Sequence, residues 1–486
     1  MLFRREYNGC KTFSCVNCGN PDPALYSRSS RLGYAAWHCP ECGAYPPELS
    51  NPPILALAEQ IAQTRIPDVS PLIWCCAQPL FVKYGLTRSG SPRVQCIHCR
   101  KVHTLANPNT LSKQLQPLLD GLLAGISPVD LAAELTLSNK VFSERMAKLT
   151  CLLSTVMTRV EISALSQKVS PIVQTRSHVQ VCRSGLSRAA NKQAETHVWT
   201  LTSVDARTGY VYLISDNVLL SADNASCLEA GHYVPRVKEQ GIDSEANVLS
   251  RAEKTYAKIM ARTQFDELAY CHEKHGQIAK GALLRPVYAA HAHMQILYQQ
   301  LANTSSVYLL LEHESFVRGA AITAFDTRVK NVTANLYYWH VAADIDADRV
   351  SEPQQKTLSW WNEKWFRTNS EREGQHYQIA LGYLTPRVSQ PPKNADSLFP
   401  SELDWNAVFW QDFDHWLPPS HAAKLSMERV RQWQTVYRYL HNIVWSKKPR
   451  LPIYKTMKPI SVESLVALEN TLSVALVADI SSGSEK

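Results

Sequence analysis

The chain has 486 residues, 45% of them hydrophobic, 9% aromatic and 19% charged. That mix can fill ordinary cores across roughly two to four domains and excludes a disordered, fibrous or repeat-built protein. Fifty-one Lys and Arg against 43 Asp and Glu leave a net +8, carried at both ends: fifteen cations face ten acids in residues 1–150, and nine face only Glu428 across 424–458. Such a distribution points to a polyanion partner. No run approaches ~18 apolar residues, and the opening Met1-Leu-Phe-Arg-Arg lacks a signal-peptide core, so a cytoplasmic protein with no membrane contact is expected.

Nine of the thirteen cysteines fall within the first 99 residues, a crowding that in a reducing compartment signals metal rather than disulfides. Cys15-Val-Asn-Cys18 and Cys39-Pro-Glu-Cys42, each followed by glycine, have the spacing of a four-cysteine zinc ribbon over residues 1–50. Residues 53–64 read as a linking helix. A second, degenerate ribbon is expected at 70–105: Cys96-Ile-His-Cys99 forms a good knuckle, whereas Cys75-Cys76 supplies adjacent thiols in place of a spaced pair. Cys76, Cys96 and Cys99 are its expected ligands, and Cys10, His98 or His103 is available to complete the set.

Leucines 115, 118, 119, 122 and 123 repeat at helical spacing up to Gly125. Ser127-Pro128 opens a second helix running to Leu135, Thr136-Leu137-Ser138 makes a turn, and a third helix spans 139–149. This is the pattern of a helix-turn-helix DNA reader over 111–160, with Lys140, Ser143, Arg145 and Lys148 as candidate DNA contacts on the last helix.

From His197 the period changes to two. Strands at 198–204 and 210–214 form a hairpin around Arg207-Thr-Gly209, with Asp205 ending the first strand. Helical patterns follow over 246–302, then a strand at 307–311 ending in Glu312-His-Glu314. A helix over 315–330, a strand at 336–341 and a helix over roughly 353–366 complete the series. That order is the order of an RNase H-like α/β sheet with acids at strand ends, spanning 175–445. Two acids on neighbouring strands can hold a pair of Mg²⁺ ions at a phosphodiester. His291 and His293, two residues apart on a helix, point to different faces and suit structural roles better than a shared metal. The tryptophans at 360, 361, 365, 405, 410 and 416 suit a core better than base stacking. Residues 446–486 read as a C-terminal tail.

Across most of its length the sequence resembles the zinc-ribbon, helix-turn-helix DDE transposases of bacterial insertion sequences. The resemblance rests on Tyr84 to Cys99, Gly125 to Leu135, Thr202 to Val211, Tyr288 to His293, Leu311 to Ser315 and Tyr437 to Asn442. It implies structural Zn²⁺, catalytic Mg²⁺, double-stranded DNA with terminal inverted repeats as partner, a homo-oligomer, and a nucleoid-associated location. Asp205 takes the place of the first catalytic acid and Glu312 that of the second, where similar proteins carry Asp. The third is Glu428, in a shortened last helix, or Glu363, which follows the last core strand. The resemblance thus implies a transposase that cuts and joins insertion-sequence ends by metal-dependent phosphodiester transfer; the alternative, which the departures favour, is a catalytically inactive, domesticated descendant acting as a DNA-binding regulator or adaptor.

Overall fold

The computed structural model describes residues 3–4, 6–31, 35–65, 76, 80–105, 108–165, 170–183, 195–220, 248–261, 277–278, 281–342, 354–358, 363–372, 375–385, 404–445 and 461–466. The chain forms two interleaved units. The first gathers residues 1–61, 165–412 and 422–427, and the second gathers 62–164, 413–421 and 428–486. Among the described residues no helix is long and apolar enough to cross a membrane. The expected tail lies outside them except for 461–466.

The first unit begins with the short hairpin β1 (Ser27–Ser29) and β2 (Ala36–His38) and the helix α1 (Asn51–Arg65), whose last residues pass into the second unit. Its centre is a mixed eight-stranded sheet. The strands are β6 (Ile172–Arg183), β7 (Glu195–Asp205), β8 (Val211–Asp216), β12 (Val307–Leu311), β13 (Ala334–Ala342), β14 (Gln354–Leu358), β15 (Glu363–Arg372) and β16 (Gln375–Thr385), in the order β14-β15-β16-β13-β12-β6-β7-β8. The pairs β12·β6 and β12·β13 are parallel and the rest antiparallel. A three-stranded sheet of β9 (Val218–Leu219), β10 (Gln277–Ile278) and β11 (Gly281–Leu283) lies in the same unit.

Parallel pairing demands crossover connections, supplied here by α5 (Val248–Ala261) and α6 (Pro286–Gln300) before β12, and by α7 (Ser315–Ala324) and α8 (Asp326–Lys330) after it. Twelve consecutive residues of α6, Pro286 to Leu297, are buried, which is why its sequence is apolar all round. On one sheet face His293 sits between Ser203 and Ser215, each 2.8 Å away, and Ser203 reaches Thr175 at 2.8 Å, so the buried imidazole is satisfied by hydroxyls. The helix α9 (Trp405–Trp416) joins the sheet through Trp405, whose indole N–H donates to Ala206 O, and Trp410, whose N–H donates to Thr202 Oγ1. Trp365 and Trp410 are buried in the core, as expected, and Trp405 is half-buried, while Trp360 and Trp361 lie outside the described residues. Gly382 on β16 is fixed by packing, since a Cβ there would lie 2.4 Å from the Trp365 ring.

The helix expected over 353–366 is instead the β14–β15 hairpin. Backbone pairing of β15 with β16 along eight registered residues outweighs the weak local preference of this Trp- and Lys-rich stretch. The long β6, in which Gln174, Arg176, His178 and Gln180 alternate with Val173, Thr175, Ser177, Val179 and Val181, is the strand on which both halves of the sheet pair.

In the second unit, β3 (Phe81–Leu86), β4 (Pro92–Cys96) and β5 (Val102–Thr104) make a three-stranded antiparallel sheet. The helices α2 (Pro108–Leu123), α3 (Leu131–Glu134) and α4 (Asn139–Leu165) follow. Gly125 and Thr136, at φ +84° and +50°, turn the chain between them. Ser127 Oγ accepts the Asp130 N–H, and Leu118, Leu122, Leu131, Met146 and Leu149 close the core. The C-terminal stretch adds α10 (Pro419–Ala422) and α11 (Met427–Tyr439). Glu161 on α4, 1% exposed, is bound by both Arg65, at 2.9 Å, and Arg438.

Candidate functional site

The first cysteine cluster differs from the doubled C-x-x-C expectation in one ligand. Cys10, Cys15, Cys39 and Cys42 bring their sulfurs within 4.8 Å of one another, and Cys18 is outside the group. Cys10 Sγ lies 3.5 Å from Cys42 Sγ, and Cys15 Sγ lies 3.7 Å from Cys39 Sγ. A tetrahedral Zn²⁺ with Zn–S bonds of about 2.3 Å spaces its sulfurs by about 3.8 Å, so these four thiols fit the ion. The first pair is therefore Cys10-x₄-Cys15. The turn at Cys15–Gly19 keeps knuckle geometry, with Gly19 at φ +69° matching Gly43, but Gly19 N–H donates to Cys10 O and draws that residue into the site. The Cys18 side chain is buried instead among Asp326, Lys330 and Arg318. Burial raises the pKa of Cys10 and takes Cys15 and Cys18 to about 11. Those three thiols thus favour the protonated form, whereas at Cys39 burial is outweighed by hydrogen bonds from the Cys42 and Glu41 N–H groups, which lower its pKa; a bound cation would supply the free energy for deprotonating Cys10 and Cys15.

This ribbon is built into the first unit. Arg4 donates to Thr323 O and pairs with Asp326 at 3.2 Å. Lys11 Nζ reaches His291 Nε2 at 3.3 Å, and the Tyr7 ring meets His291 edge-on at 5.8 Å. Burial, reinforced by Arg4 and Arg318, lowers Lys11 to about 8. Gly19 approaches α8 so closely that a Cβ would sit 2.3 Å from Asp326 Cβ. In α1, Gln60 bonds both Val218 O and the Leu220 N–H. His291 thus has a packing role, as anticipated.

The second cluster gathers Cys76, Cys96 and Cys99, with Cys76 and Cys96 sulfurs 3.7 Å apart, again a tetrahedral edge. Cys75 lies outside the described residues. Of the histidines considered for a fourth ligand, His98 is exposed, whereas His103 packs edge-on against Phe81 and its Nε2 is buried without a hydrogen-bond partner. Both clusters are therefore suited to hold a metal such as zinc, a structural ion that cross-links short strands too small to hold a core.

The four helix-turn-helix candidates separate. Lys140 and Lys148 are exposed and Arg145 is half-buried, while Ser143 turns to the flank where the Arg429 guanidinium donates to its Oγ. Phe142 on the same helix meets Trp433, 6.1 Å between ring centroids. Ser143 is accordingly a packing residue, and the basic surface of α4 consists of Lys140, Arg145 and Lys148.

The acids do not converge. Asp205 closes the β7–β8 turn: its Oδ1 accepts from the N–H groups of Arg207 and Thr208 and from Thr208 Oγ1, and its Oδ2 accepts from Tyr212 Oη at 3.0 Å. Burial raises its pKa against the pull of these donors. Glu312, likewise raised by burial and by Glu314, accepts from Ser177 N–H and Oγ, both at 2.8 Å. Strand β6 lies between them. Asp205 is opposite Val173, whereas the Glu312 N–H bonds Thr175 O, so the two residues are about 10 Å apart across the sheet and about 10 Å along it. Ions about 4 Å apart cannot be bridged from such positions. Nor does either strand beside β12 offer an acid, since β6 and β13 contain neither Asp nor Glu. Glu363 begins strand β15, and Glu428 is an exposed first-turn residue of α11 in the second unit. Asp205 and Glu312 therefore do not fit a Mg²⁺ pair.

No family model matches the chain, and no curated protein matches it.

Proposed function

We propose that this chain is a DNA-binding protein of transposase descent that acts as a regulator or adaptor rather than by cutting strands. The observation that carries the reading is the compact α2–α3–α4 assembly with Lys140, Arg145 and Lys148 on the accessible side of its longest helix, the arrangement a major-groove reader requires. Descent is supported by the resemblance of the motifs and by the order β8-β7-β6-β12-β13, a meander followed by two parallel crossover strands, which matches an RNase H-like core. Loss of cleavage is supported by the separation of Asp205 and Glu312 and by the acid-free β6 and β13. Two metal-held ribbons and a homo-oligomer binding inverted repeats belong to the same reading.

The test uses the full chain with the DNA flanking its own gene. Salt-sensitive binding, with no nicking under Mg²⁺ or Mn²⁺, is the expected result. Metal-dependent cleavage abolished by Asp205→Asn would restore the transposase reading, and absence of binding at any salt concentration would remove both.

A further inference from the structure

Residues 80–104 contain five cations, Lys83, Arg88, Arg93, Arg100 and Lys101, and no acid. None of the five forms an ion pair among the described residues. They decorate the β3–β4–β5 sheet, whose inner face holds Val94, Leu105 and Phe81. Its outer face is bare. Val82 and Tyr84 are each 46% exposed and Val102 is 37% exposed, and the Arg93 guanidinium lies over the Tyr84 ring at 5.1 Å. Leu86, 67% exposed, leads into the Thr87–Ser91 turn, which is held by the Thr87 N–H to Ser91 O bond and presents Arg88. At the other end, Arg100, in left-handed conformation at φ +60°, and Lys101 project from the cysteine knuckle.

We infer that this face of the second ribbon is a separate double-stranded-DNA contact, with Arg88, Arg100 and Lys101 on phosphates and the Tyr84–Arg93 pair with Val82 and Val102 laid against the groove. The inference rests on the DNA-binding reading above and adds to it a surface distinct from α4. Charge selects the occupant. Four uncompensated cations, Arg88, Arg93, Arg100 and Lys101, would be costly in the charge-depleted centre of a protein interface, whereas on a duplex each cation that meets a phosphate releases counterions.

The experiment measures binding of the full chain to a fluorescein-labelled 40-base-pair duplex of mixed sequence across a salt series. It compares wild type with Arg88→Ala/Arg100→Ala/Lys101→Ala, with Tyr84→Ala, and with Lys140→Ala/Arg145→Ala. Metal content and circular dichroism establish that each variant folds. The triple variant is expected to bind at least about tenfold more weakly near physiological salt and to flatten the log–log salt slope by about 0.9 for each phosphate no longer neutralised. Tyr84→Ala should weaken binding with the slope unchanged. If the helix variant loses affinity while both sheet variants bind like wild type, the sheet does not touch DNA and the inference fails while the DNA-binding reading stands. If wild type itself ignores the duplex, the reading beneath the inference fails. Preference for a 40-nucleotide single-stranded RNA over the duplex would overturn the choice of occupant.

Discussion

Exchanging the two candidate thiols of the first ribbon separates Cys10 from Cys18 with a sharp outcome. Cys10→Ser removes a sulfur that sits 3.5 Å from Cys42, whereas Cys18→Ala removes one that is 1% exposed and outside the cluster. The first leaves three thiolates and should empty the site at submicromolar free zinc. The second leaves four and should hold zinc at wild-type stoichiometry, with a packing loss of about 1–2 kcal/mol for the buried sulfur. Because Arg4, Tyr7 and Lys11 tie this ribbon to α6, α7 and α8, metal loss should be felt by the whole first unit. At a free zinc concentration a thousand times Kd, occupancy stabilises by about 4 kcal/mol, roughly 8 °C in Tm for a unit of this size. Zinc release measured with a chelating dye, beside calorimetry with and without EDTA, gives both numbers. A Cys18→Ala protein lacking one zinc per chain, or a Cys10→Ser protein retaining it, would refute the ligand set. An EDTA-insensitive Tm would refute the coupling.

Three further outcomes are expected. Asp205→Ala should cost about 2–4 kcal/mol in urea unfolding, because it strands the turn donors and the Tyr212 hydroxyl, and any nicking activity should be indifferent to it. Glu161→Gln should cost about 3–5 kcal/mol by the same assay, since Arg65 and Arg438 would be left buried without their shared carboxylate. His178 is stacked on Trp410 at 4.2 Å, and burial takes its imidazole from 6.5 down to about 4. The unfolded chain therefore gains the proton first, so stability falls as pH drops from about 6.5 to about 4, by up to about 3 kcal/mol. His178→Phe should flatten that part of the pH–stability curve measured by denaturant titration, and an unchanged slope would exclude His178 as its source.

Much of the architecture could be read along the chain where local signal and tertiary demand agree. The β7–β8 hairpin, the apolar β12, β13 and the leucine-spaced α2 all announce themselves by period. Strand β6 alternates as well but lacks an apolar face to stand out, because Gln174, Arg176, His178 and Gln180 fill one face and Thr175 and Ser177 break the apolar row on the other, and the fold satisfies the polar groups from elsewhere: Gln174 Oε1 accepts the Trp405 backbone N–H, and Arg176 pairs with Asp404. The placement of the acids depends on the same strand, since without β6 the strands that Asp205 and Glu312 end would be neighbours. At the metal centre the C-x-x-C spacing outcompeted Cys10, although Gly9 beside it, at φ +150° and with its would-be Cβ 2.6 Å from Asn20 O, already marked a close approach of the two segments. Ser143 had the right position on its helix but the wrong side, a distinction set by Arg429, 286 residues away.

The interleaving of the two units has a consequence for how the protein is made. The α2–α3–α4 assembly leaves the ribosome early, yet Phe142 waits for Trp433, Ser143 for Arg429 and Glu161 for Arg438. Until the C-terminal 60 residues emerge, α4 carries an uncovered aromatic and a half-matched buried carboxylate, so this segment cannot mature in order of synthesis as vectorial folding ordinarily permits. Loss of α11 would therefore leave Phe142, Ser143 and Glu161 without the partners that complete the α2–α3–α4 assembly.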